Sequence, residues 1–231
     1  MEPQYKLYSK DAFVKWSNKT FTWMTTEEQD FDNLSSEQKE FWKNNWFTYT
    51  LNSYAFRCND FSVYKHKPTL VSFGCSHTFG TGLPIEKIWA WIIAEKLGLE
   101  LVNLAVPGGS MDTCSRIAKF WLPHIQPKII LLQIPELFRR EYYWEDGFHM
   151  NGIWKEDFTK FALDNWNDQE DQFNFEKNLD LINYYSSCKV VSFNADNLIN
   201  DSNVKSFARD GKHWGIDTHR SLAEKILSII Q

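Results

Sequence analysis

The sequence predicts an α/β protein built on a mostly parallel sheet, with helices on both faces. Two observations predict it. From residue 67 onward, short runs of strand-forming residues alternate with longer amphipathic stretches, and strands separated by helices run parallel. The run KIILLQI (128–134) is apolar almost throughout, as a strand is when both of its faces are covered. The chain has 231 residues, 43% hydrophobic and 16% aromatic. That is material for one domain over 1–231, with appendages.

Each element follows from local pattern. Residues 1–66 precede the alternation and mix aromatics (Trp16, Phe21, Trp23, Phe41, Trp42, Trp46, Phe47) with polar side chains. They read as an extension packed on the main sheet, with a carbohydrate-stacking surface as the sharper alternative. Within them SSEQKEFWKNNWF reads as a helix, with Ser35 as N-cap and Gln38 three residues later. TLVSF (69–73) is the first strand of the alternation. PIEKIWAWIIAEKLG (84–98) is a helix in which Pro84 suits the first position and Gly98 the end. ELVNL (100–104) is a second strand, and SMDTCSRIAKFWLPHI is a helix capped by Ser110. After the third strand, residues 140–186 are acidic, aromatic and long, with helix expected around 172–184. An excursion after a strand's C-terminal end lies over the ligand crevice. It reads either as a lid or substrate wall, or as a helical insertion with a solvated acidic face. KVVSF (189–193) and the amphipathic helix DTHRSLAEKILSII (217–230) complete the series.

Composition excludes several function classes. The net charge is −5 and no Lys/Arg run reverses it locally, which argues against nucleic acid as a partner. No eighteen consecutive residues are apolar, so no membrane span is expected. MEPQYKLYSKDAFVKWSNKT has no apolar signal-peptide core, and a cytoplasmic location is the expectation. Cys58, Cys75, Cys114 and Cys188 match neither a zinc site nor a CxxC pair and are expected as free thiols. HWGIDTH spaces its two histidines six apart, which is no common metal-ligand spacing. No metal and no cofactor are expected.

The chemistry concentrates where a strand gives out, in LVSFGCSHTFGTGL (70–83). Strand C-terminal ends are where parallel sheets bind ligands. A serine on such a turn is a weak nucleophile until a base takes its proton, and the usual base is a histidine oriented by a carboxylate. Asp210 and His213 supply that pair just before the last helix. Ser76 is then the nucleophile. Cys75 points the other way, as a buried and inert thiol. His77 is structural or a rim contact, and His219 packs or caps. His66, His124 and His149 show no partner pattern.

These residues resemble the SGNH hydrolases, also called GDSL-type esterases and lipases, over residues 51–231. GCSHTFGTG matches the nucleophile block, with Cys75 where the family has Asp. NLAVPGG matches the second block through Asn103 and Gly108. Asp210 and His213 match D-x-x-H, and LNSYAFR (51–57) is similar to the lead-in of some members. The resemblance implies a three-layer α/β/α fold with a flavodoxin-like strand order. It implies a Ser76–His213–Asp210 triad, an oxyanion held by the N–H groups of Ser76 and Gly108, and Asn103 ordering the second-block loop. The third block departs: LLQIPELFRRE has no Asn and no Gly. Either the Gln133 amide or the charge of Arg139 and Arg140 takes the place of the missing donor, or the enzyme is slow. The activity implied is a serine esterase acting on small-molecule or carbohydrate esters, with O-acetyl sugars favoured by the aromatic flanks. An acyltransferase using the same triad and a non-catalytic binding protein on this scaffold are the alternatives.

Overall fold

The computed structural model describes residues 16–144, 147–151, 167–199 and 206–230. The first fifteen residues of the expected signal-free leader, the side chain of His149 and residues 152–166 of the excursion lie outside the described residues. In chain order the elements are β1 (Thr20–Phe21), α1 (Glu27–Asp32), α2 (Ser36–Asn44), β2 (Tyr49–Thr50), β3 (Thr69–Phe73), α3 (Ser76–Phe79), α4 (Trp89–Leu97), β4 (Glu100–Asn103), α5 (Met111–Ile125) and β5 (Ile129–Gln133). They continue with β6 (Arg140–Trp144), β7 (Gly147–Asn151), α6 (Asp168–Tyr185), β8 (Val190–Phe193), α7 (Ala195–Leu198) and α8 (Ile216–Ile230).

Four strands form the central sheet in the order β4-β3-β5-β8, all parallel. Numbered by chain order within the sheet, this is 2-1-3-4, the flavodoxin-like arrangement. Alternation along β3 sends Leu70 to one face and Val71 and Phe73 to the other. Val71 and Phe73 join Val102, Ile130 and Leu132 against Ile117, Trp121 and Leu122 of α5 and Ile182 of α6. Leu70 joins Leu101, Leu131 and Phe193 against Trp89 and Ile93 of α4 and Leu222 and Ile226 of α8. The result is three layers, helix–sheet–helix. Burying each such large apolar side chain stabilises the fold by roughly 1.5–3 kcal/mol, so both faces of the sheet are needed.

The helix ends explain themselves locally, with one exception. Ser35 and Ser110 each take the amide of the third helical residue in a capping box. Gly98 closes α4 in the left-handed conformation at φ 66°. The exception is Pro84, which opens a single 3₁₀ turn over Ile85–Lys87 rather than α4 itself. The α-helix starts at Trp89, whose N–H donates to His219 Nδ1 at 3.0 Å. A side chain from α8 therefore supplies the cap, which no local pattern announces. His219 is a capping residue, for its neighbour's helix.

The region before β3 is a layer of two helices and the short β1–β2 pair. Its aromatic rings pack on one another and on the core. Trp23, Phe31 and Trp46 form one cluster, and Phe21, Phe47, Tyr49 and Phe79 form another. The excursion after β5 contains an antiparallel hairpin, β6–β7, followed by α6. Polar links join it to α5 and its hairpin to its own helix. Arg116 forks Glu141 at 2.6 Å through two nitrogens, Arg140 pairs with Asp171, and Asn178 bridges Asp112 and Ser115 at 2.9 and 2.6 Å.

Candidate active site

β3 stops at Phe73, and the chain turns at Gly74 with φ 153°. A Cβ there would run into the Thr78 side chain and into Gln133, so glycine is required. The turn leads directly into α3, a single helical turn whose first residue is Ser76 and which Gly80 ends at φ 83°. The Ser76 carbonyl is occupied by the amides of Gly80 and Thr81. Its N–H takes no hydrogen bond among the described residues, and its hydroxyl faces away from the sheet toward the loop before α8.

That loop brings the partners. Asp210 Oδ1 accepts the N–H groups of Lys212 and His213, both at 3.0 Å. This is why a three-residue spacing works: the carboxylate folds its own turn and so fixes where the imidazole lies. Asp210 Oδ2 bonds His213 Nδ1, and His213 Nε2 stands 2.8 Å from Ser76 Oγ. The Asp210 side chain is 4% exposed and that of His213 25%. Burial pushes the Asp210 carboxyl up. The His213 ring and the two amides outweigh that burial, and the net direction is down. A neutral His213 with its proton on Nδ1 donates to Asp210 and offers Nε2 as acceptor to the Ser76 hydroxyl. The three residues singled out from sequence thus come together in one hydrogen-bonded line.

The neighbours are equally specific. Cys75 is 1% exposed, and burial raises its thiol. His77 stacks on Trp214 with ring centres 3.8 Å apart and stands 5.0 Å from the His213 ring. Burial, then the charges of His213 and His219, hold it well below the usual imidazole range, so it is neutral. Asn103 is fully buried. Its Oδ1 accepts from Ala105 N–H at 3.1 Å and from Ser72 Oγ at 3.2 Å, and its Nδ2 donates to Thr78 O at 3.1 Å. It orders the loop after β4 and ties that loop to the end of α3. Gly108 lies on this loop in a turn at φ 76°, and its N–H takes no hydrogen bond among the described residues. Gln133 ends β5 with its Oε1 accepting from the Thr78 hydroxyl. Arg140 is committed to Asp171 and to the carbonyls of Leu137 and Arg139. Arg139 instead pairs with Glu136 at 2.7 Å and reaches the Cys75 sulfur.

A cavity of about 360 Å³ opens beside the nucleophile turn. Cys75, His77 and Trp214 form its wall toward the triad. Gln133, Glu136, Gln172, Asn194 and Asp196 give it a polar lining, and Phe175 of α6 an apolar one. It lies at the C-terminal ends of β3, β5 and β8 and so includes the β3/β5 switch point, where a parallel sheet of this order offers its crevice. Among the described residues, no three His, Cys, Asp or Glu side chains are grouped to hold a metal ion. No helix among them is long and apolar enough to cross a membrane.

Three arginine and tyrosine contacts escaped the sequence reading. Arg57, fully buried, donates to Phe79 O at 3.1 Å and to Gly80 O and Leu83 O at 2.7 Å. It holds the carbonyls of the turn that follows Ser76. Burial lowers its guanidinium to about 10, which leaves it charged at neutral pH. Tyr49 Oη accepts from Gly82 N–H at 2.6 Å and donates to Glu27 at 2.9 Å. Arg209, next to Asp210, pairs with Glu27 at 2.7 Å. The available signal was the Arg of LNSYAFR; nothing local marks Glu27 or Arg209.

No family model matches this sequence, and no curated protein is similar to it. Solved structures with a similar chain path include TesA (11% identity, TM-score 0.48, 71% of this chain and 98% of that one). They include a member of the lipolytic protein G-D-S-L family from Veillonella parvula DSM 2008 (13%, 0.45, 70% and 97%). The psychrotrophic esterase EstA from Pseudoalteromonas sp. is also similar (12%, 0.42, 70% and 96%).

Proposed function

We propose that this chain is a serine ester hydrolase of the SGNH type, with Ser76 as nucleophile, His213 as general base and Asp210 as the group that orients and stabilises the imidazolium. One observation carries the reading: the unbroken line from Asp210 through His213 to Ser76 Oγ, at the C-terminal end of the sheet's first strand. Ser76 Oγ attacks the ester carbonyl as its proton passes to Nε2 of His213. The oxyanion forms beside the backbone N–H groups of Ser76 and Gly108, both without another partner among the described residues. Collapse of the tetrahedral adduct expels the alcohol, which takes the proton from His213. Water then attacks the acyl-enzyme, with His213 again as base, and frees the acid.

The cavity supports a polar alcohol as the larger part of the substrate. Its amides and carboxylates suit hydroxyl groups, and the Trp214 and Phe175 rings suit the apolar face of a sugar. Most of the N-terminal rings pack on one another, with Phe41 and Trp46 each 48% exposed. Hydrolysis of 4-nitrophenyl acetate, compared between wild type and Ser76→Ala, tests the reading. Turnover is expected to fall about 10³-fold or more in the variant, as triad losses do. Equal rates in a folded variant overturn it. Fluorophosphonate labelling that the same substitution abolishes separates an enzyme too selective for this ester from a scaffold that only binds.

A further inference from the structure

The contacts of Tyr49, Glu27 and Arg209 close on themselves. Gly82 N–H donates to Tyr49 Oη, and Tyr49 Oη donates to Glu27 Oε2. Glu27 Oε1 accepts from Arg209 Nε at 2.7 Å, and the backbone N–H of Arg209 returns to Gly82 O at 2.9 Å. Every side chain in this ring is at most 2% exposed. The ring joins the turn six residues after Ser76 to the residue that precedes Asp210. The two segments touch so closely there that a Cβ on Gly82 would meet Ala208 at 2.6 Å. The rest of the Arg209 fork donates to Phe47 O at 3.1 Å and to Thr22 O, and its plane lies 3.8 Å from the Phe47 ring centre.

A buried ion pair is a poor source of stability, since apolar side chains of the same volume commonly serve as well. What it does supply is a fixed geometry, because neither charge tolerates a position without the other. We propose that Glu27, Tyr49 and Arg209 are positioning residues. They set the distance between Ser76 and the Asp210–His213 turn, so the layer before β3 is part of the catalytic apparatus. The proposal rests on the triad reading above, and its test is chosen to stand apart from it.

Tyr49→Phe opens the ring at its mildest point and keeps the aromatic packing. Glu27→Gln opens it at the ion pair. The first readout is the His213 Nδ1 proton, observed by NMR in wild type and both variants. It is expected far downfield in wild type and shifted upfield or exchange-broadened in Tyr49→Phe. An unchanged resonance in a folded Tyr49→Phe protein overturns the proposal, whether or not the chain turns over any ester. A purely structural role would lower the melting temperature and leave this proton where it is. The second readout is kinetic: kcat is expected to fall about tenfold in Tyr49→Phe while KM stays within about twofold, because the ring touches no substrate. A rise in KM at constant kcat would also count against it. Should Ser76→Ala prove as active as wild type, the triad reading fails, and the proton resonance alone decides the ring.

Discussion

The layer before β3 and the excursion after β5 attach to the same sheet by different means. The layer is held by charges with no access to water: the Glu27 and Arg209 side chains are 1% and 0% exposed, and Arg57 ends on three backbone carbonyls. The excursion is held by Ile182 in the apolar core and by Arg116 and Glu141 at 13% and 4%, while Arg140 and Asp171 tie its own hairpin to its own helix. Its helix α6 leaves Phe173 and Tyr184 largely exposed while presenting Gln172 and Phe175 to the cavity. Both regions are aromatic and polar by composition. The difference lies in where their charges end. One region ends on the turn after Ser76 and on the residue before Asp210, and the other walls the cavity beside them.

The strongest test of that contrast is stability. Arg57→Met removes a buried three-bond donor, leaves Leu83 O without one, and is expected to cost about 3–5 kcal/mol, as breaking a buried charged network does. That is roughly 6–20 °C in Tm for a chain of this size. Asp171→Asn weakens a pair within the excursion, keeps a hydrogen-bonding side chain there, and is expected to cost about 1.5 kcal/mol. Thermal denaturation followed by circular dichroism compares the two, and equal losses would erase the distinction.

Acid sharpens it further. Burial, then the charges of His213 and Arg57, lowers His219 from 6.5 to about 3. The unfolded chain therefore binds a proton between those values that the folded chain refuses. This contribution to stability is complete above pH 6.5 and is lost as pH falls toward 3, at about 1.4 kcal/mol per unit. His219→Asn, which keeps an acceptor for Trp89 N–H, is expected to flatten the fall in Tm between pH 6.5 and 4. A slope equal to that of wild type would show that the acid sensitivity lies elsewhere, with the carboxylates of the excursion as the next place to look.

The smallest effect belongs to the side chain nearest the chemistry. Cys75 is buried behind the nucleophile turn, and Cys75→Ala is expected to leave ester turnover within about tenfold, some 1.4 kcal/mol of barrier. Collapse of turnover in a folded variant would transfer the nucleophile role from Ser76 to Cys75.

Strands β3, β4, β5 and β8 were legible to within about a residue, because coverage on both faces makes each an apolar run bounded by Gly, Pro or charge. Ser76, Asp210 and His213 were legible because each stands at a strand end or a pre-helix turn, where local chemistry dictates the residue. Pro84 misled because the true cap of α4 comes from α8. The hairpin β6–β7 was missed as an acidic tract, although the Asp–Gly step in YYWEDGF is a hairpin signal. Glu27 and Arg209 had no chance of recognition: they are 182 residues apart, and each alone reads as an ordinary surface charge.

That separation bears on how the protein is made. Translation delivers Glu27 roughly ten to forty seconds before Arg209, at ordinary elongation rates. Through that interval Glu27 has the Met24 N–H and the Tyr49 hydroxyl as its donors and lacks its cation. The cation arrives with the last loop, and that same loop carries Asp210 and His213: one segment completes both the buried pair of the N-terminal layer and the hydrogen-bonded line to Ser76.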